Sequence, residues 1–202
     1  MENRQLLMDV VPFQLNPKMI QESISKNNGK LLVSGILQRA NTKNLNNRIY
    51  PKELLIREAQ KYSDVYIKEF RATGELDHPD SAVVNLKNVS HNILEIHWDG
   101  DSLIGTIEIL PTPSGNILRK LLESGIRVGI SSRGLGSINT VGGLDEVQDD
   151  FEIICWDFVS TPSTPGGWMS VIAEGKQDTK YYNTNINSYL NKLIIDVLSD
   201  LK

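Results

Sequence analysis

Hydrophobic and polar positions divide the chain into short apolar segments and two amphipathic stretches. Short continuous apolar segments are typical of buried strands, whereas apolar residues three and four apart are typical of a helix with one buried face. The first pattern predicts strands at 31–37, 89–97, 103–110, 126–130 and 151–159. The second predicts helices at about 51–70 and 115–124, the latter capped by Ser114. Because strands and helices do not alternate regularly, the pattern favours an α+β fold, including a mostly antiparallel β-barrel flanked by helices.

The pattern changes at both ends of the chain. Residues 1–30 are polar and irregular, and we interpret them as an N-terminal extension. Residues 31–174 contain all the predicted strands and form the predicted single domain. Residues 175–202 begin with a polar linker and continue with apolar residues at helical spacing, which predicts a helical tail. That tail packs on its own domain or docks on a partner, and the spacing does not choose between them.

Composition excludes several classes of protein. The chain has 202 residues, of which 40% are hydrophobic and 23% charged, as in ordinary globular proteins. A net charge of −4 provides no basic stripe for phosphates, so we expect no direct nucleic-acid binding. No apolar run has the length of a membrane span and no signal-peptide pattern is present, so we expect no membrane association. The single cysteine, Cys155, fits a reducing compartment such as the cytoplasm.

Two adjacent serines follow the predicted strand 126–130. Ser131 and Ser132 stand directly before an arginine and two nearby glycines, Gly134 and Gly136. Glycine permits tight turns and close backbone approach, so a serine here could lie at a strand end beside free backbone N–H groups. Acyl transfer requires a nucleophile beside such donors. The same composition is also common in ordinary turns, so other segments must decide between the two interpretations.

Two further segments carry the side chains that a serine nucleophile needs. His78 lies in a polar segment between Asp77 and Asp80, and Asp157 lies inside the last predicted strand. A serine hydroxyl needs a histidine to take its proton and a carboxylate to orient the imidazole. A carboxylate inside an apolar strand needs a partner, which is either that imidazole or an arginine or backbone donor. The residues thus predict a candidate catalytic group and leave the carboxylate's partner open.

Four ordered blocks of sequence resemble the prohead core protein proteases of T-even-type tailed phages. The blocks are NRIYP (47–51), GELDHP (74–79), GISSRGLGS (129–137) and DFVSTPSTP (157–165). Blocks in the same order over about residues 31 to 170 are more specific than any one of them. The resemblance implies a serine endopeptidase that acts inside the assembling phage head in the host cytoplasm. It also implies a fold distantly related to that of the herpesvirus assemblins.

The resemblance assigns roles to individual residues. His78 matches the catalytic histidine of the family, and Ser131, the first of the two serines, matches its nucleophile. Asp157 is the predicted third member of the triad, and Asp77 and Asp80 are the alternatives.

The assignment of the nucleophile has one rival, Ser132. Neighbouring side chains on a strand point to opposite faces, so only one of the two serines can meet the histidine. Local chemistry does not choose between them, and Ser131 is preferred on the match alone. We expect the oxyanion hole to consist of backbone N–H groups near Ser132 and Arg133.

The resemblance also implies substrates and a mode of activation. The substrates are phage scaffold or core proteins and capsid proteins, and no cofactor is expected. Proteases of this family cut after glutamate in Ile/Leu-x-Glu, a pattern that ends here at Glu22 and Glu174, both in predicted loops or linkers. We hypothesise that the chain is a precursor that trims itself at one or both sites, with the tail as a removable propeptide. Arg48, Arg127 or Arg133 could supply the basic pocket that selects glutamate.

Three alternatives remain to be weighed. His78, His91 and His97 could bind zinc in a metal-dependent hydrolase, because the even spacing of the last two places them on one strand face. The chain could be an inactive structural head or scaffold protein whose tail docks on a partner. A cysteine protease is disfavoured, because the thiol of Cys155 would stay protonated in an apolar strand. The sequence does not predict the oligomeric state.

Overall fold

The computed structural model describes residues 17–172, in which helices and strands are mixed as the sequence predicts. The described residues contain three α-helices, and a π-helical turn follows the second: α1 (Pro17–Lys26), α2 (Lys52–Tyr62), the turn (Ser63–Ile67) and α3 (Pro113–Glu123). The strands are β1 (Leu31–Arg39), β2 (Arg48–Ile49), β3 (Thr73–Glu75), β4 (Val89–Asp99), β5 (Ser102–Ile109), β6 (Gly129–Leu135), β7 (Ile138–Val141), β8 (Leu144–Val147), β9 (Glu152–Val159) and β10 (Met169–Val171). The α+β class is confirmed.

The largest sheet has five antiparallel strands in the order β10-β1-β5-β4-β3. Its centre is the predicted hairpin of β4 and β5, whose turn at Gly100 has a φ of +57° that glycine adopts without strain. Strands β2, β8 and β7 form a second, small sheet, and β6 pairs with β9 in a two-stranded antiparallel ladder. The candidate site lies on this last pair.

The described residues form no closed barrel. At each of its two sides, the ladder of β6 and β9 makes one backbone bridge toward the chain that leads to or from the five-stranded sheet. On one side Asp77 N donates to Phe158 O at 2.7 Å, and on the other Ile130 N donates to Gly167 O at 2.8 Å. Because these linkages are single bridges rather than paired strands, the barrel and the assemblin-like arrangement stay predictions.

The core is built from the apolar faces that the sequence pattern marks. Helix α2 buries Leu55 and Tyr62, and α3 buries Leu118 and Leu122. Tyr62 meets the fully buried Trp156 of β9 edge to face, with ring centroids 4.9 Å apart. Helix α2 is thereby fixed against the strand that carries Asp157.

Several element boundaries differ from the predictions. Residues 17–26, expected to be irregular, form α1, because Ile20 is buried and the hydroxyl of Ser23 lies 3.3 Å from the N–H of Leu32. The α-helix predicted over 51–70 ends at Tyr62 and continues as the π-helical turn. Helix α3 is capped by Thr112, which accepts a hydrogen bond from Gly115 N, and not by Ser114. The predicted tail at 175–202 lies outside the described residues, and the division into domains stays a prediction.

Candidate active site

The two serines lie inside strand β6 and not at its end, which corrects the sequence prediction. The strand continues to Leu135 because each residue from Gly129 to Leu135 has a partner in β9, with a β-bulge between Arg133 and Gly134. Ser131 lies opposite Asp157, and directly opposed residues of an antiparallel pair share one face. Both side chains are shielded, with Ser131 4% exposed and Asp157 fully buried. The ladder therefore fixes a serine hydroxyl and a carboxylate side by side.

His78 reaches the same face from the loop that follows β3. That loop lies along β9, because Asp77 N bonds Phe158 O, and Asp77 has a φ of +71° that turns the chain there. The imidazole Nδ1 of His78 is 2.8 Å from Oδ2 of Asp157, and the His78 side chain is 36% exposed. The carboxylate of Asp77 accepts instead the backbone N–H of His78 at 3.1 Å, and Asp80 is exposed. Of the three aspartates considered, Asp157 is therefore the one that meets the imidazole.

The carboxylate of Asp157 is held by several donors. Oδ2 also accepts from Nε of Arg133 at 2.8 Å, while Oδ1 accepts the N–H of Glu75 at 2.8 Å and the thiol of Cys155 at 3.3 Å. Burial alone would raise the pKa of Asp157, but the hydrogen bonds from His78, Arg133 and Glu75 N outweigh it and lower the pKa below its ordinary value. Asp157 is ionised at neutral pH, so Nδ1–H of His78 donates and Nε2 is left as an acceptor.

The side chains of Arg133 and Glu75 are further parts of this site. The sequence leaves an arginine open as the partner of Asp157, and Glu75 is the residue that it does not predict. Nη2 of Arg133 lies 2.9 Å from Oε1 of Glu75 and 3.2 Å from Oδ1 of Asp157. Arg133 is 9% exposed and Glu75 about 1%, so the charges are largely removed from water. Burial alone would lower the pKa of Arg133, but the bonds to both carboxylates raise it above its ordinary value. Glu75 stands in the block GELDHP (74–79), and its burial beside Arg133 is visible only in the structure.

The two serine hydroxyls have different partners. Oγ of Ser131 lies 3.0 Å from Oγ of Ser163, in the loop between β9 and β10. Ser132 instead shares a hydrogen bond with Tyr50, whose pKa is raised mainly by burial. Ser132 lies opposite Trp156 in the ladder and hence on the other face from Asp157. Ser131 and Asp157 share one face of the ladder, where His78 contacts Asp157, and the hydroxyl of Ser132 is on the other face, beside Tyr50.

A cavity of about 570 Å³ opens above these residues, and His78, Ser131, Ser132 and Arg133 all line it. Its other walls mix apolar side chains (Leu45, Ile138, Val147, Phe151 and Pro162) with polar ones (Asn46, Arg48, Tyr50, Thr161 and Ser163). A cavity into which several polar groups converge is a typical site for a ligand.

The three arginines considered for glutamate selection have different surroundings. Arg48 lines the cavity. Arg127 stacks on the ring of Trp168, with the guanidinium carbon 4.5 Å from the ring centroid, and Arg133 is engaged by the two buried carboxylates. Of the three, Arg48 is the arginine that faces the cavity with no carboxylate partner among the described residues.

One predicted cleavage site does not lie in a loop. Glu22 is inside α1, and Ile20 of the same Ile-x-Glu pattern is 1% exposed. A protease needs an extended segment, so cutting here would require α1 to unfold locally. Glu174 lies outside the described residues.

The histidines do not form the zinc site that was considered. A β-bulge between Ile93 and Glu95 reverses the alternation along β4, so that His91 lies opposite Ile109 and His97 opposite Ile104. These two positions of β5 are on opposite faces of the sheet. His91 and His97 are therefore on opposite faces as well, although their even spacing predicts one shared face. Within residues 17–172, no group of three or more His, Cys, Asp or Glu side chains could hold a metal ion.

A carboxylate, an imidazole in contact with it and a serine hydroxyl opposite it, at the edge of a cavity, are the kinds of group that hydrolases with an activated serine use. The profile of the prohead core protein serine protease family matches residues 5–177, and the chain belongs to this family.

The relatives agree with this family. The prohead core protein protease of Enterobacteria phage T4 is 31% identical over 144 residues, which cover 69% of this chain and 68% of the relative. The structure of the capsid assembly protease gp21 of bacteriophage T4 matches with a TM-score of 0.62 at 28% identity, covering 64% of this chain and 81% of the other. The chain is thus a phage capsid-maturation protease that acts inside the prohead, and the described residues include no helix able to cross a membrane.

Proposed function

We propose that this protease is a serine endopeptidase in which Ser131 is the nucleophile, His78 the general base and Asp157 the group that orients the imidazole. The observation that supports this most is the 2.8 Å contact of His78 Nδ1 with Asp157, on the face of the ladder that presents Ser131. With Nδ1–H donated to an ionised carboxylate, Nε2 is free to accept the hydroxyl proton.

In the proposed reaction, Oγ of Ser131 attacks the peptide carbonyl while His78 takes its proton. The imidazolium then gives that proton to the leaving amine, and the acyl group stays on Ser131. Water, activated by the same imidazole, releases the acyl group and restores the hydroxyl. Asp157 stabilises the imidazolium in both halves and remains ionised. Backbone N–H groups near Ser132 and Arg133 are the proposed donors to the oxyanion.

Ser131 must first leave its hydrogen bond to Ser163. A rotation about the Cα–Cβ bond moves the hydroxyl without moving the strand, because the ladder holds the backbone. Catalytic hydrogen bonds are often absent without substrate and tighten when it binds. The contact with Ser163 is therefore compatible with a resting enzyme.

Peptide cleavage by single-residue variants tests the assignment. The assay uses a peptide that contains Leu-x-Glu, with wild type, Ser131→Ala and Ser132→Ala. We expect Ser131→Ala to lower kcat/KM by about 10⁴-fold or more and Ser132→Ala by less than about tenfold, because Ser132 is on the other face. Loss of cleavage only in Ser132→Ala would reverse the choice of serine. No cleavage by any form, even after removal of 175–202, would favour an inactive structural head protein.

We further propose that phage core or scaffold and capsid proteins are cut after glutamate in Ile/Leu-x-Glu, and that Arg48 receives the glutamate carboxylate. The reasons are that Arg48 lines the cavity and that Arg127 and Arg133 are engaged elsewhere. No cofactor enters this reaction, and the polar groups that it uses all belong to the chain.

Self-trimming at Glu22 or Glu174 is retained as part of the proposal, with Glu174 favoured because Glu22 lies in a helix. Mass spectrometry of the termini of wild type, Ser131→Ala and Arg48→Gln tests both points. We expect Ser131→Ala to keep its full length, and Arg48→Gln to trim itself at least about tenfold more slowly with no loss of the folded state. Arg127→Gln is the matched control. Identical termini in wild type and Ser131→Ala would contradict self-trimming.

A further inference from the structure

The loop that carries His78 makes one hydrogen bond with the side chain of Arg133 and one with that of Glu75. Nη1 of Arg133 donates to the carbonyl of Ser81 at 2.6 Å, and Oε1 of Glu75 accepts the N–H of Asn85 at 3.0 Å. Both contacts fall within the loop between β3 and β4, a few residues after His78. The same pair of side chains therefore contacts the loop of the base and, through Arg133, the carboxylate of Asp157.

Arg133 donates hydrogen bonds to Asp157 from two nitrogen atoms. Nε contacts Oδ2 at 2.8 Å and Nη2 contacts Oδ1 at 3.2 Å, which fixes the plane of the carboxylate and not only its position. One oxygen of that plane, Oδ2, is the atom that meets His78. A lysine in place of Arg133 could supply the charge but not the two-point contact.

Glu75 changes the net charge of the group formed by Asp157, Arg133 and His78. Arg133 alone would neutralise Asp157 and so weaken the attraction of that carboxylate for an imidazolium. With Glu75 present, two carboxylates face one guanidinium, and a protonated His78 brings the sum to zero. Asp77 and Asp80, the other acids of the His78 loop, are exposed and are screened by water.

The two carboxylate oxygens of Glu75 have different surroundings. Oε1 lies 2.9 Å from Nη2 of Arg133, the distance of an ion pair. Oε2 is buried and has no hydrogen-bond partner among the described residues, which makes this carboxylate costly to bury. The contact with Arg133 therefore places Glu75 as a second acidic partner of that arginine, beside Asp157.

We propose that Arg133 and Glu75 are positioning residues for the reaction: Arg133 orients Asp157 and holds the His78 loop, and Glu75 keeps the group around His78 net negative. This inference rests on the proposed triad. It differs from the oxyanion role expected for the backbone of Arg133, because it concerns the side chain.

One variant that removes a charge and one that keeps it test the inference on the full chain. For Glu75→Gln we expect the acidic limb of the kcat/KM pH profile to move down by about half a pH unit, since one negative charge is lost. The nitrogen NMR signals of the His78 ring should show the same downward shift of their pH midpoint.

For Arg133→Lys we expect kcat about 10²-fold lower with KM within about threefold, because the variant loses the orientation of Asp157 and keeps the charge. Each variant is first checked for an unchanged circular dichroism spectrum.

Matched controls use ion pairs far from the site. Glu108→Gln removes the carboxylate that pairs with Lys30, and Arg119→Lys replaces the arginine that pairs with Glu123 on α3. Both should keep the wild-type pH profile and kcat. The inference is overturned if folded Glu75→Gln keeps the wild-type pH midpoints in both measurements, or if folded Arg133→Lys keeps kcat within threefold. If wild type and Glu75→Gln show the expected NMR midpoints of His78 but wild type does not cleave peptides, the proposed function is refuted. The charge balance at His78 is then still supported by those midpoints.

Discussion

His78 and His91 contact consecutive residues of strand β9 and have opposite chemical character. His78 meets the charged side chain of Asp157 and is 36% exposed. His91 is fully buried, its Nε2 lies 2.9 Å from the carbonyl of Trp156, and its Nδ1 lies 2.9 Å from Oγ of Ser90. Burial lowers the pKa of His91 to about 4, more than the carbonyl and Asp157 raise it. At neutral pH His91 is therefore a neutral part of the core.

The comparison shows that the partner and the access to water decide what a histidine can do. His91 has neutral partners and its ring packs edge to face on Phe158, with centroids 4.7 Å apart. A Cβ on Gly74 would lie 2.5 Å from that ring, so glycine is required there for close packing. His78 has an ionised partner, Asp157, and lines an open cavity that a substrate can enter. Only the second environment suits a general base.

Substitution of the two histidines should separate activity from stability. We expect His78→Ala to lower kcat/KM by about 10⁴-fold, because no base then remains for Ser131. Its thermal midpoint should change by only a few degrees, since the side chain is partly exposed. We expect His91→Gln to lower the free energy of unfolding by about 1–3 kcal/mol and to leave kcat/KM per folded molecule within about threefold. Peptide cleavage and denaturant unfolding measure the two effects.

The opposite result would exclude His78 as the general base. If His91→Gln abolished cleavage by folded protein while His78→Ala cleaved normally, the base would have to be sought among other residues. His97→Gln is the control for a histidine on the same strand, and it should change neither quantity by much.

Acid should destabilise the protein through His91. The pKa of His91 is depressed in the folded state to about 4 from an ordinary 6.5, so the unfolded chain binds a proton more readily. Its contribution to stability is therefore present above pH 6.5 and is lost as the pH falls toward 4, by up to roughly 3 kcal/mol. Urea unfolding from pH 7 to 4 measures the slope, and His91→Gln should flatten it.

The carboxylate of Asp157 acts in a different pH window. Its pKa is also depressed in the folded state, so its contribution is present above its ordinary value of 3.8 and is lost only as the pH falls below that value. A decline in stability that starts only below pH 4, equal in wild type and His91→Gln, would contradict the buried neutral state of His91.

Much of the fold could be predicted from the sequence. The hairpin of β4 and β5, strand β9 and the two amphipathic helices follow from local apolar spacing, which each element carries in its own residues. The helix at 17–26 was missed, because its stability comes from burying Ile20 and Ser23 against the domain rather than from its own pattern. The extent of β6 was missed for a similar reason: its partner lies more than fifteen residues away along the chain, in β9.

The residues of the candidate site stay a prediction. His78, Ser131 and Asp157 are named from residue type and resemblance, and the structure adds that Asp157 contacts His78 and lies opposite Ser131. Strand alternation alone could not choose between Ser131 and Ser132, because the choice depends on which of them lies opposite Asp157. The bulge in β4 likewise invalidated an argument from the even spacing of His91 and His97. Register and bulges depend on pairing between distant segments, which single-strand periodicity does not contain.

By itself, the sequence determined which residues can do chemistry and which segments must be buried, because both depend on side-chain type and local spacing. The tertiary structure alone decided the surroundings of each group. In the fold, Asp157 contacts His78 and Arg133, His91 is enclosed in the core, and Glu75 lies beside Arg133. Charge, burial and orientation act over a few ångströms in space, and the chain brings such neighbours together from β3, β6 and β9, far apart in sequence.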